Sequence, residues 1–247
     1  MGVYRNIGKK ICRKVVEVFH LKISQHFHIF APSYKAFMKG IKNILFDYGN
    51  VIFNIDFNRV QQAWAKLGVD NVAEFYGHRQ QDPVFNLLER GEISNNAFRD
   101  RIRQLTHKPE LTDEQIDTAW NSIFLDIPEG NHELLLKVKA KYRTFLLSNI
   151  NAIHYDYVHD YLKKHYDLNG NEQFFEKTYY SHLTGKRKPE PEIFEQVLKE
   201  NNLDPAETLF IDDSPQHIAT AQKLGIQTYL MTAPDTIQEF FERDGIV

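Results

Sequence analysis

From residue 43 onward, short continuous apolar runs alternate with longer stretches whose apolar residues recur at helical spacing. The first run, Asn43-Ile44-Leu45-Phe46, stops abruptly at Asp47 and enters the turn Tyr48-Gly49-Asn50-Val51. A strand buried on both faces reads as such a run. Residues 51–57 read as a short turn-rich flap. Helical spacing then places Val60, Ala63, Trp64 and Leu67 on one face of a helix over 57–67, broken by Gly68 and Asp70-Asn71. Further helices are predicted over 72–76, 84–90, 94–105 and 112–124. Ser94 and Thr112 stand as N-caps, and Gly91 as a stop. The stripe Ile116, Ala119, Trp120 and Ile123 marks the last of these, and Pro128-Glu129-Gly130 ends the helical block.

After that block the pattern alternates. Helices are predicted over 131–140, 152–165, 191–201, 214–224 and 236–243. Strands are predicted over 144–147, near 177–180, over 209–211 and over 227–231. Alternating strands and helices imply a parallel, doubly wound α/β sheet with right-handed crossovers. The predicted organisation is a basic extension over 1–38, an α/β core formed by 39–56 and 127–247, and an inserted helical-bundle cap over 57–126. No internal repeat or low-complexity stretch interrupts it.

Composition adds bounds. The chain has 247 residues, 42% hydrophobic and 26% charged, as expected for a globular protein with one core and a smaller accessory domain. No apolar run approaches the ~20 residues of a spanning helix. The lone Cys12 excludes an intrachain disulfide and fits a reducing, cytoplasmic compartment. A net charge of -3 gives no reason to expect nucleic acid binding. That charge is unevenly spread: residues 1–38 carry +6 and the remainder -9. We read 1–38 as an extension ahead of a natural start at Met38. An amphipathic helix on an anionic membrane and a targeting leader are the alternatives. Oligomeric state is not legible.

Four strand-terminal segments carry candidate chemistry. Beside the Asp47 turn stand Thr144-Phe145-Leu146-Leu147-Ser148-Asn149, the loop Gly185-Lys186-Arg187-Lys188-Pro189-Glu190-Pro191, and Thr208-Leu209-Phe210-Ile211-Asp212-Asp213-Ser214-Pro215. Each has a bland reading: a solvated Asp after a strand, a strand-ending Ser, solvated Lys186, Arg187 and Lys188. Adjacent acids at a strand end are costly unless a cation neutralises them. Trp64 and Trp120 read as cap core, and His154, His159 and His165 as surface residues.

Taken in order, these segments resemble the haloacid dehalogenase superfamily, in its phosphatase branch, over about residues 41–235. The stretches Phe46–Ile52, Asp56–Val60, Glu89–Ser94 and Arg187–Glu190 are similar to the bacterial alpha-D-glucose-1-phosphate phosphatase subgroup. The resemblance implies a Rossmann-like core and a phosphomonoesterase acting on a small phosphorylated metabolite, such as a sugar phosphate. It implies Asp47 as nucleophile, Ser148 and the Asn149 backbone N–H as phosphate donors, and Lys188 as the phosphate-facing cation. Asp47, the Gly49 carbonyl and Asp213 are then expected as ligands of Mg²⁺, with Asp212 bound directly or through water.

One position departs from that pattern. Many family phosphatases carry a general acid two residues after the nucleophile, where this chain has Gly49. Such an acid contributes ~10²- to 10⁴-fold. Asp56, His78 and Glu89 are candidate substitutes, each with an ordinary surface or capping role as its alternative. A catalytically silent phosphate-binding protein and a metal-free 2-haloacid dehalogenase are the rival functions. The acidic pair argues against the dehalogenase, and the intact nucleophile, lysine and acids argue against the silent binder. A mutase would want the acid that Gly49 lacks.

Overall fold

The computed structural model describes residues 38–76 and 82–243. The readings of 1–37 and the candidate acid His78 lie outside them. Strand β1 (Asn43–Phe46) is buried at all four positions, as its unbroken apolar run requires. It is the middle strand of a five-stranded, wholly parallel sheet of order β3-β2-β1-β4-β5. The others are β2 (Arg143–Ser148), β3 (Lys177–Tyr180), β4 (Thr208–Asp212) and β5 (Gln227–Leu230). β4 is buried throughout, whereas the outermost strands β3 and β5 each begin at an exposed residue. The chain therefore runs outward from β1 through β2 to β3, returns, and continues on the other side through β4. That reversal leaves a crevice at the carboxyl ends of β1 and β4.

Between β1 and β2 lie α1 (Phe57–Lys66), α2 (Val72–Phe75), α3 (Pro83–Glu89), α4 (Asn95–Thr106), α5 (Asp113–Asn121) and α6 (Asn131–Lys139). Their starts are chemically specified. Asp56 accepts from Asn58 N at α1, Asp82 from Val84 N at α3, and Ser94 from Ala97 N at α4. Thr112 and Gln115 form a reciprocal capping box at α5. The helices of this insert share an aromatic centre. Phe85 lies between Tyr76, Phe98 and Trp120, at centroid distances of 5.0, 5.7 and 5.2 Å. Trp64 and Trp120 are both buried, as their stripes require.

The remaining helices are α7 (Ala152–Tyr166), α8 (Ser181–Thr184), α9 (Pro191–Asn201), α10 (Pro215–Lys223) and α11 (Ile237–Arg243), with a 3-10 turn at Pro205–Glu207. α9 and α10 cover one face of the sheet: Ile193, Phe194, Val197, Ile218 and Ala221 pack with Leu45, Phe145 and Phe210. On the other face Phe46 meets Phe175 and Phe241, each at 6.0 Å, and α11 packs on α6. Alternate residues of β1 thus serve opposite faces. α8 and the 3-10 turn, each under five residues, carry no periodicity that a sequence reading could use.

Candidate active site

Parallel pairing aligns the strand ends. Phe46 stands opposite Leu146 and Ile211, and the Asp47 backbone N–H donates to Ile211 O at 2.9 Å. Asp47, Ser148 and Asp212 therefore emerge along one edge, all buried. Lys188 arrives from the loop after α8. Its Nζ lies 2.6 Å from Asp47 Oδ1 and 2.7 Å from Asp212 Oδ2, with 1% of the side chain exposed. Its bland reading as a solvated lysine is excluded. The same amine sits 5.5 Å from the centre of the Phe210 ring.

Asp212 is saturated. Its oxygens accept from Ser214 N at 2.7 Å, from His217 Nδ1 at 2.9 and 3.0 Å, and from Lys188. Asp213 accepts from Asn50 Nδ2 at 2.9 Å. Asn50 has φ +54° and also accepts from Ile55 N through its Oδ1 at 3.0 Å, tying the flap to Asp213. Neither Asn50 nor His217 was singled out from sequence. A polar residue tolerant of left-handed backbone, directly after a glycine, was the available signal for Asn50.

The charges are unbalanced: three carboxylates face one ammonium group. Burial pushes the Asp47 carboxyl up. Lys188 pulls against that, while Asp212 and Asp213 add to it. Burial likewise raises Asp212, but Lys188 and then His217 more than offset it and hold that carboxyl below its ordinary range. Asp213 is pushed up by burial, against the Asn50 hydrogen bond. Burial would discharge Lys188, yet Asp212 and Asp47 keep its affinity for the proton above normal. Asp47, Asp212 and His217 present ligand atoms within 4.8 Å of one another. Because the His217 ring is committed to Asp212, the freer oxygens belong to Asp47 and Asp213. A hard, oxygen-seeking dication fits this donor set.

Three side chains find partners that the sequence did not announce. The expected role of Asn149 concerns its backbone N–H and leaves its side chain free for other work. That side chain clamps the lysine loop, donating to Lys188 O at 2.8 Å and accepting from Lys188 N at 2.9 Å. Arg187 is not solvated: it bonds Asn86 Oδ1 and lies 3.0 Å from Glu89 Oε2. His154 is also not a surface residue. It is buried, receives a hydrogen bond from Asn151 at Nδ1 and donates from Nε2 to Trp120 O. Long-range pairing decides all three, and local polarity carried no trace of it. His159 is half-buried and His165 exposed.

A cavity of about 110 Å³ opens between this edge and the helical insert. Gly49, Ser148 and Asn149 form its floor, and Phe57, Tyr76, Phe85 and Trp120 line it with Glu89. Among the described residues, the buried Trp120 Nε1 has no hydrogen-bond partner. Burial raises the Glu89 carboxyl, opposed by Arg187 and Arg90. Asp56 is spent as the α1 N-cap.

This geometry has counterparts. A model of haloacid dehalogenase-like hydrolases matches residues 41–225. The chain is 33% identical over 191 residues to the D-ribitol-5-phosphate phosphatase of Bacteroides thetaiotaomicron, covering 76% of this chain and 91% of that protein. It is 33% identical over 188 residues to the sesquiterpene phosphatase astK of Aspergillus oryzae, covering 75% and 87%. A crystal structure of a haloacid dehalogenase family enzyme from Bacteroides thetaiotaomicron, in complex with magnesium and inorganic phosphate, superposes with TM-score 0.74. It is 42% identical, covering 81% of this chain and 99% of that one. With the matched segment spanning every strand end that meets at Lys188, the chain belongs to the haloacid dehalogenase-like hydrolase family.

Proposed function

We propose that the chain is a magnesium-dependent phosphomonoesterase with Asp47 as nucleophile. The observation that carries this reading is the buried Lys188 amine bridging Asp47 and Asp212 at the ends of two adjacent strands. Asp47 and Asp213, with the Gly49 carbonyl, would hold the cation, and Asp212 would support it while orienting Lys188. Bound there, magnesium supplies positive charge that lets a phosphate dianion approach a carboxylate.

Asp47 attacks phosphorus in line. The new O–P bond forms as the bond to the leaving oxygen breaks, giving an aspartyl-phosphate. Lys188 offsets the developing charge on the phosphoryl oxygens, and the Ser148 hydroxyl donates to one of them. Water then hydrolyses the acyl phosphate, restoring Asp47 and releasing inorganic phosphate. With glycine at position 49, the leaving group takes its proton from water or departs as a stabilised anion. An anomeric phosphate leaves more easily than an ordinary alkyl phosphate.

The substrate class we infer is a compact hydroxylated phosphate: a sugar phosphate such as glucose 1-phosphate, or a polyol phosphate. The cavity beside Ser148 is where the rest of the ester would sit. Its aromatic walls, with one unpaired N–H and a carboxyl group, suit a ring or polyol that offers both apolar faces and hydroxyls.

Phosphate release from a panel of sugar, polyol and prenyl phosphates and one activated aryl phosphate tests this, with Mg²⁺, with chelator, and in Asp47→Asn. Release that requires both Mg²⁺ and Asp47, with polyol or sugar esters ranked first, is the expected result. No release even from the aryl ester would leave a silent phosphate-binding protein.

A further inference from the structure

The loop that carries Lys188 is gripped from the helical insert as well as from the sheet. α3 ends at Glu89, and the next residue is Arg90. Arg187, just before the lysine, bonds Asn86 of α3 and lies 3.0 Å from Glu89. Glu190, two residues after the lysine, pairs with Arg90, which also donates to Gly185 O at 3.3 Å. An acid then a base at the end of α3 thus meets a base then an acid flanking Lys188-Pro189. All four side chains are about a quarter to a third exposed, so they are partly withdrawn from water.

The polarity is crossed. A slip that exchanged partners would set Glu89 against Glu190 and Arg90 against Arg187, and like charges would reject it. The adjoining turn fixes the approach independently. Gly91 has φ +67°, and a Cβ there would stand 2.2 Å from the His182 carbonyl oxygen. Only glycine permits backbone to meet backbone at this point. His182 belongs to α8, the element from which the lysine loop departs.

We propose that Glu89, Arg90, Arg187 and Glu190 are positioning residues for Lys188, through which the seated insert fixes the amine between Asp47 and Asp212. Glu89 also lines the cavity, whereas Arg90, Arg187 and Glu190 are absent from its lining. All four act on the loop backbone, alongside the Asn149 clamp. The kinetic part rests on the phosphatase reading, and the placement of the amine does not.

The test uses Arg90→Glu, Glu190→Arg and the double swap in the full chain. The first readout is the rate at which Lys188 is acetylated by an N-hydroxysuccinimide ester, mapped by mass spectrometry. Each single variant should accelerate labelling of Lys188 at least about fivefold, and the double swap should return it to within about twofold of wild type. The second is kinetic: kcat should fall at least about tenfold in the single variants with KM within about twofold, and recover in the double. Melting temperature identifies any variant that is merely unfolded, and Arg187→Gln then supplies an uncharged alternative at the other pair. Folded single variants whose labelling matches wild type would overturn the proposal. So would a folded double swap that recovers nothing. If wild type releases no phosphate from any ester, the phosphatase reading fails while the labelling arm still decides this one.

Discussion

Ile55 occupies the space that a side chain at Gly49 would need: a Cβ built on Gly49 would stand 2.8 Å from Ile55 Cδ1. The absent acid and the flap residue are therefore one feature. No positive φ constrains Gly49, so the obstacle is the end of a single flexible side chain and not the backbone.

Gly49→Asp alone is expected to displace Ile55 and gain little, whereas Gly49→Asp with Ile55→Ala should accommodate the carboxyl. Where leaving-group protonation limits turnover, the double variant should raise kcat on alkyl phosphates about tenfold or more. It should leave the aryl ester unchanged. Steady-state rates on both substrate types check this. Equal rates would place the limit elsewhere.

Lys188→Met should destabilise the metal-free protein by about 3–5 kcal/mol, since the methionine fills the volume but leaves Asp47 buried without a cation and Asp212 with only Ser214 N and His217. Raising pH deepens the loss, because the buried Asp47 must then ionise without its counter-charge. Mg²⁺ should recover part of it. Denaturant unfolding with and without the ion, at two pH values, measures both effects.

His154 sets a slope on the acid side of the stability curve. Burial holds its ring neutral, with its pKa lowered from 6.5 to about 3. Below pH 6.5 the unfolded chain takes up a proton that the folded one refuses. The full contribution is therefore present above pH 6.5 and is lost on descent towards pH 3, by about 1.4 kcal/mol per pH unit. His154→Gln should be less stable than wild type at pH 8, yet lose about one proton's worth less stability per unit between pH 6 and 4. Parallel unfolding curves for the two proteins would contradict this.

The parts legible in sequence are those governed by local rules. β1 and β4 announced themselves because strands buried on both faces cannot alternate with polar residues. Ser94 and Thr112 announced helix starts because a cap lies two or three residues from the N–H it satisfies. Three parts of the candidate site were legible as strand ends because parallel pairing brings such ends to one edge, and the fourth, Lys188, arrives on a loop after α8. What stayed hidden depends on partners far along the chain. Arg187 pairs with Glu89 and Asn86, and His154 reaches the Trp120 carbonyl. Asn149 spends its side chain on Lys188 instead of facing outward. No periodicity records such meetings. Asp56 shows the converse: an acid near the site in sequence is fully accounted for by the helix it starts.

β1 is hydrogen-bonded on both sides, and Asp47 extends that ladder by one further bond. Amides of 44–47 are therefore expected among the last to exchange with deuterated solvent, opening only when the whole sheet unfolds. The insert is joined to the lysine loop chiefly through half-buried ion pairs and should exchange on a faster clock. The proposed nucleophile is thus anchored to the slowest-breathing part of the molecule. The walls that choose what it meets belong to a faster one.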